Sequence, residues 1–284
     1  MITTLTIPDK DFDLIRKIEL DIAIEIKRIC DKCDIRYSLT AGTLLGALRH
    51  QGFIPWDDDI DIAMKREAYD KFLAIAPSEL DEKYEVFNYE TNPNCEIVFT
   101  KIVAKGTVLQ DKYAKSPEVS CGVFVDIFPY DNQPDSEIGR KVQVIRTYLL
   151  EKRILIKGGY NFRKKSFKKV LYTFLRAIDF ASKQKLFMKY RKVQGKYNNR
   201  PTKYVTGFDK YSESFRNTFS TELLDNYTQL EFEGIKFSVF ADYRGYLRQK
   251  YGDYMELPPL EQRNHAHGLV YMDLRAFGGS EMRL

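Results

Sequence analysis

Asp59-Ile60-Asp61-Ile62 sets two carboxylates and two isoleucines in strict alternation. A solvated charge run has no use for interleaved isoleucines. The pattern therefore reads as a half-buried strand, with Asp59 and Asp61 on one side and Ile60 and Ile62 in the core. Carboxylates held side by side repel each other unless a cation lies between them. Hard oxygen ligands of this kind suit Mg²⁺, which takes one or two carboxylates together with phosphate oxygens and water. The run closes a longer stretch, Tyr37 to Met64, that also carries Trp56, Asp57 and Asp58.

The residues before it read as a short strand (Arg36 to Thr40), a tight turn (Ala41-Gly42-Thr43), a helix (Leu44 to His50) and a loop (Gln51 to Pro55). Gly42-Thr43 at a helix N-terminus offers free N–H groups and a hydroxyl, which makes a phosphate seat. Further upstream, Phe12, Ile15, Ile18, Ile22, Ile26 and Ile29 form one apolar stripe at helical spacing between about Pro8 and Cys33. Cys30 and Cys33 end that helix as a CxxC pair. Structural zinc wants four ligands, and only the separate Cys95 and Cys121 remain, so these read as buried or half-buried thiols.

Downstream, Lys65 to Ile75 reads as a helix ended around Pro77. Tyr84 to Tyr89 and Ile97 to Val108 read as strands joined by a turn at Thr91 to Asn94, an antiparallel extension of the sheet. Cys121 to Tyr130 is a buried strand with Asp126 in its middle. A lone buried Asp costs several kcal/mol unless it is paired or on a metal. Capping a loop or accepting backbone hydrogen bonds would serve it too, but Asp59 and Asp61 offer a metal site for it to complete.

Ser136 to Lys157 and Phe167 to Tyr197 have helical patterns, separated by Gly158-Gly159. From Arg140 to Lys203 there are 20 basic residues and two acids, Glu151 and Asp179, a net +18; the 25 basic and 38 acidic residues elsewhere give −13. A basic middle in an acidic protein calls for an anionic partner or surface, or is a solvated lysine face. Aromatics do not interleave with these charges, which weighs against nucleic acid. Asn198 to Phe219 looks irregular. Leu230 to Val239 reads as a hairpin turning at Glu233-Gly234, and Ala241 to Tyr251 as a helix ended by Gly252. His265 and His267, at i and i+2, face one side of an extended segment and, with Arg263, form a candidate edge of the site.

No apolar run approaches the ~20 residues of a membrane-spanning helix. Nor does the N-terminus read as a secretory signal, so cytoplasmic residence is expected. Four cysteines among 284 residues do not make a disulfide scaffold.

Gly-Thr before a helix, Asp-x-Asp on one strand and a third Asp on a later strand form an arrangement suited to phosphoryl transfer. AGTLLGALRHQGFIPWDDDIDIAM, followed by GVFVDIFPYD and YLRQKYGDYMELPPLEQRNHAHG, closely resembles the LicD family, over roughly Tyr37 to His267. The resemblance implies an α+β fold of the nucleotidyltransferase (DNA polymerase beta-like) type, a mixed sheet flanked by helices with a basic helical insert. A catalytic core would span residues 1–135, the basic helical region 136–203, and a segment completing core and site 204–284.

It also implies transfer of phosphocholine from CDP-choline to a hydroxyl of a teichoic acid or lipopolysaccharide precursor, with release of CMP. The alternatives are ribitol phosphate or a nucleotide as the group moved, and a non-catalytic glycan- or membrane-binding protein. Asp59, Asp61 and Asp126 would be catalytic and hold one or two Mg²⁺, with Mn²⁺ as a substitute. Gly42, Thr43, Trp56, Asp57, Asp58, Arg263 and His267 would bind substrate and phosphate. Phe53, Trp56 and Tyr130 are candidates to face the quaternary ammonium. A lipid-linked glycan acceptor at the inner face of the cell membrane would give residues 140–203 an anionic surface to rest on.

Overall fold

The computed structural model describes residues 4–92, 94–111, 121–158, 181–208, 217–263 and 268–284. Gly159, residues 167–180 of the second expected basic helix, His265 and His267 fall outside these. The first expected helix is α1, Asp9–Lys32, and all six residues of its apolar stripe are buried. A two-residue strand follows: β1, Ser38–Leu39, leads into α2, Ala41–His50. The expected turn at residues 41–43 is the first turn of that helix. Its ladder already begins at Thr40, whose carbonyl accepts the Leu44 N–H at 3.0 Å.

The acidic strand β2 runs Asp61–Lys65, so Asp59 lies just outside it. The reason is its partners. β1 pairs antiparallel only as far as Leu39 opposite Ile62, and the last link on the other side is the Asp126 N–H on the Ile60 carbonyl at 2.9 Å. The burial alternation still holds, with Ile60 and Ile62 buried and Asp59 and Asp61 half-buried. Helix α3, Arg66–Glu79, runs past its expected end. Pro77 sits in its last turn, where its missing donor breaks one bond only, and the Leu80 N–H closes on Ala76 at 3.0 Å.

β3, Tyr84–Phe87, and β4, Thr100–Ala104, pair antiparallel, as their alternation predicts. β5 is Val108–Asp111. The long strand β6, Phe124–Gln133, organises the sheet. One side of it pairs parallel with β2. The other pairs first with β4 over Phe124–Ile127, then with β7, Tyr204–Gly207, over Tyr130–Gln133. Pro129, which has no N–H to give, falls in the gap between those partners. β8, Thr218–Ser220, extends the β7 edge and completes a seven-stranded mixed sheet. The segment expected to be irregular thus supplies two strands, because β6 outruns β4 and leaves an edge to be filled.

Helix α4, Glu137–Gly158, packs against α5, Lys183–Gln194. They share a separate apolar cluster of Val144, Ile154, Leu186, Phe187, Tyr190 and Phe208. The expected hairpin is β9, Tyr227–Phe232, and β10, Ile235–Phe240. Glu233 and Gly234 both have positive φ, 51° and 74°, as a two-residue hairpin turn requires. Helix α6, Tyr243–Tyr251, ends at Gly252, at φ 72°. β11, Leu269–Asp273, joins β5 and β12, Glu281–Arg283, in a small sheet. The Ser280 N–H closes this end onto Asp11 of α1 at 3.1 Å.

Beyond the sheet centre, Asp131 of β6 is fully buried. Arg66 meets it with two bonds of 2.8 and 2.7 Å, and Asn198 adds a third of 2.7 Å. Removing one partner of such a pair strands a charge. Arg66→Met is expected to destabilise the protein by about 3–5 kcal/mol, read as a lowered midpoint in urea unfolding; an unchanged midpoint would contradict it.

Candidate active site

The acidic residues converge because parallel pairing of β2 and β6 sets Asp61 directly beside Asp126. On the far side of β6, antiparallel pairing sets Lys101 of β4 opposite Asp126. Residues in register across a sheet project to one face. Asp61, Asp126 and Lys101 therefore form a row across three adjacent strands. The Lys101 Nζ lies 2.6 Å from the Asp126 Oδ1 and 3.0 Å from the centre of the Phe124 ring. Lys101 and Asp126 are both buried. The lone Asp of the buried strand thus has a buried lysine partner. The sequence carried a signal for it, a lysine inside the apolar segment Phe99-Thr-Lys-Ile-Val-Ala104.

Helix α2 is stapled to the acidic run through Thr43. Its buried hydroxyl accepts the Asp61 N–H at 2.8 Å and donates to the Asp59 carbonyl at 3.5 Å. The Thr40 N–H bonds the Asp61 carbonyl at 3.0 Å. A Cβ on Gly42 would stand 2.7 Å from the Asp57 Oδ2. Glycine is what admits that carboxylate beside the first turn of α2, where the helix dipole favours a negative charge. So the expected phosphate seat holds a carboxylate of the chain itself, and the Thr43 hydroxyl is committed to backbone. At the same end, the Ala41 N–H donates to the Tyr246 hydroxyl at 3.3 Å, and that hydroxyl is 2.7 Å from the Thr40 Oγ1.

The loop leading into the run is held by residues that the motif does not contain. Arg16 of α1 donates to three carbonyls, those of Ile54, Pro55 and Asp57, at 2.7–3.0 Å. It also stacks over Phe12 and Phe53 at 4.3 and 5.2 Å. Glu233 at the hairpin tip accepts the Phe53 N–H at 3.0 Å. It fits only because residue 52 is glycine, where a Cβ would stand 2.0 Å from the Glu233 Oε1. Trp56 is half-buried, edge-on to His50 at 6.4 Å, and its face carries the Arg263 guanidinium at 5.2 Å. Arg49 bonds the Tyr254 carbonyl at 3.0 Å and so fixes the segment that carries Arg263. Tyr130 is buried among Phe219, Phe240 and Tyr246, and Phe53 packs on Phe232. Of the three expected aromatics, Trp56 and Phe53 already face a cation, Arg263 and Arg16 respectively.

Glu19 of α1 is the other residue that the motif hides. It is 1% exposed, and its Oε2 has no hydrogen-bond partner among the described residues. Burial pushes its carboxyl well above the usual range, and the charges of Asp58, Asp59, Asp57 and Asp126 push in the same direction. The sequence signal was a glutamate four residues after Ile15 and three before Ile22, on the apolar stripe itself. Asp58 is buried; Asp57 is half-buried. Among the described residues no three Asp, Glu, His or Cys side chains converge closely enough to hold a metal on their own. Asp61 and Asp126, side by side in register, are the carboxylates that would take a hydrated Mg²⁺, with the remaining ligands from substrate phosphates and water. All four cysteines are free, Cys30 and Cys95 buried, Cys33 and Cys121 half-buried.

This arrangement, a carboxylate row beside a helix N-terminus on a mixed sheet, is accompanied by clear sequence kinship. Residues 34–148 match the family described as LicD/FKTN/FKRP, nucleotidyltransferase domain. The chain belongs to the LicD family. It is 34% identical over 259 residues to the lipopolysaccharide cholinephosphotransferase LicD of Haemophilus influenzae, covering 87% of this chain and 92% of that protein. An uncharacterised protein of Rickettsia prowazekii is 38% identical over 93 residues, 29% of this chain and 35% of its own length.

The raised Glu19 pKa has a measurable consequence. A carboxyl raised in the folded state loses stability as pH climbs from its ordinary value of 4.5 through its folded value. Glu19→Gln cannot titrate. In metal-free buffer its melting temperature is expected to match wild type near pH 5 and to gain on it by several degrees by pH 8. Parallel profiles would contradict the assignment.

Proposed function

We propose that the protein transfers phosphocholine from CDP-choline to a hydroxyl of a cell-surface glycan precursor of the lipopolysaccharide type, releasing CMP in a Mg²⁺-dependent reaction. The observation that carries this reading is the in-register Asp61–Asp126 pair in a chain 34% identical to a lipopolysaccharide cholinephosphotransferase. The core would be of the nucleotidyltransferase type, the acceptor lipid-linked, and the site cytoplasmic.

In this reaction the acceptor oxygen attacks the phosphorus that bears choline. The bond from that phosphorus to the bridging oxygen breaks, and CMP leaves with the electron pair. The acceptor proton passes to solvent or to Asp126, a carboxylate of the row. Mg²⁺, held by Asp61 and Asp126 with Asp59 nearby, would neutralise the diphosphate and orient it. Lys101 supplies a further fixed positive charge at the row, and its pairing with Asp126 orients that carboxylate. The Trp56 face, already holding a guanidinium, suits a quaternary ammonium. Asp57 and Asp58 add negative charge nearby. Thr43, Gly42 and Arg16 hold this geometry rather than touching the reacting atoms.

The test is CMP release from CDP-choline with a lipopolysaccharide acceptor and Mg²⁺, run beside CDP-ribitol and CTP. CDP-choline is expected to be the best donor. Asp61→Asn and Asp126→Asn are expected to lower kcat by at least ~10²; Asp126→Asn, which leaves the buried Lys101 without its charge partner, is also expected to lower the melting temperature, so its activity is read below that temperature. Full activity in both variants would sink the site assignment. CDP-ribitol or CTP outrunning CDP-choline would leave the site standing and replace the donor.

A further inference from the structure

We propose that the outward face of α4 docks on an anionic lipid bilayer, with the helix lying along the membrane surface. This surface is separate from the carboxylate centre, and the inference does not depend on which group that centre transfers.

Ile138, Val142, Ile145 and Leu149 are between 43% and 75% exposed. Their spacing of i, i+4, i+7 and i+11 places them on one line along the helix, about 16 Å long. Large apolar side chains scattered singly on a surface need no explanation, but four aligned on one helix face form a patch. The opposite side of the helix is the one the protein uses: Gln143, Val144, Thr147 and Ile154 are buried. The stripe therefore points away from the body of the protein and can meet a flat surface.

The charges flanking the stripe identify that surface. At 100° per residue, Lys141 and Lys152 border the stripe on one side and Arg146 and Arg153 on the other, each roughly 50–70° from its centre. Along the whole helix there are six basic residues and two acids, Glu137 and Glu151. An apolar line between two basic rails is the pattern of a helix lying in a lipid interface, with the aliphatic residues in the acyl boundary and the cations at the headgroups. A second copy of this chain would bring basic rail against basic rail, which opposes self-association through this face. No helix among the described residues is long and apolar enough to cross a membrane. Contact of this kind is peripheral and reversible.

Sedimentation with lipid vesicles tests the proposal, using the full chain, phosphatidylcholine vesicles, and the same vesicles with about 30% phosphatidylglycerol. Wild type is expected to sediment with the anionic vesicles and not with the neutral ones. Ile145→Gln/Leu149→Gln and Lys141→Gln/Arg146→Gln are each expected to bind at least ~10-fold more weakly. All four side chains are exposed, so both variants are expected to keep the wild-type melting temperature. Three results would overturn the proposal: no vesicle binding by wild type, undiminished binding by Ile145→Gln/Leu149→Gln, or a wild-type dimer that this variant dissolves while vesicles go unbound.

Discussion

The Lys101–Asp126 pair is the interaction on which the arrangement of the site depends. Asp126 is buried in the central strand of the sheet, with Asp61 beside it and Asp57, Asp58 and Asp59 a few residues away. Carboxylates gathered at low exposure either take up protons or require fixed positive charge. Lys101 provides that charge from the neighbouring strand at 2.6 Å. Glu19, buried beside the same cluster and without such a partner among the described residues, shows the other outcome: burial first, and then the neighbouring carboxylates, push its carboxyl towards the neutral form. The strand order β2–β6–β4 is what lines up Asp61, Asp126 and Lys101. In that sense the sheet topology and the electrostatics of the site are one constraint.

Around this row, polar contacts from three separate elements hold the acidic loop in place. Thr43 ties α2 to the backbone of Asp59 and Asp61, Arg16 gathers three carbonyls of residues 54–57, and Glu233 reaches in from the hairpin. Gly42 and Gly52 are small because carboxylates pass where their Cβ atoms would be. Side chains that position a site are as specific in their demands as those that react, since a loop displaced by ~1 Å is enough to lose orientation.

Much of this was legible in the sequence, and what was missed has physical reasons. Local periodicity was enough for α1, the β9–β10 hairpin and the Gly252 stop of α6, because each is decided within a few residues. Alternation placed Ile60 and Ile62 inside. It placed the start of β2 two residues early, since a strand ends where its partners end, and β1 is only two residues long. β7 and β8 were invisible for the same reason: they exist because β6 outruns β4. Lys101 and Glu19 looked like ordinary charges in apolar segments. Their meaning lies in what stands opposite in space, tens of residues away in sequence. The basic composition of the middle region was obvious. Which helix face carries the exposed Ile138–Leu149 stripe was not, because that depends on which side α5 covers.

The most direct test of the account is the position of a bound donor diphosphate. A crystal structure with CDP-choline and Mg²⁺ is predicted to place the diphosphate against Asp61, Asp126 and Lys101, with the choline end towards Trp56. The molecule offers a rival location, the cleft lined by Lys65, Asn132, Asn199 and Arg200, at the other end of β2 and about 13 Å away along the strand. Donor density in that cleft, with the carboxylate row empty, would contradict the account.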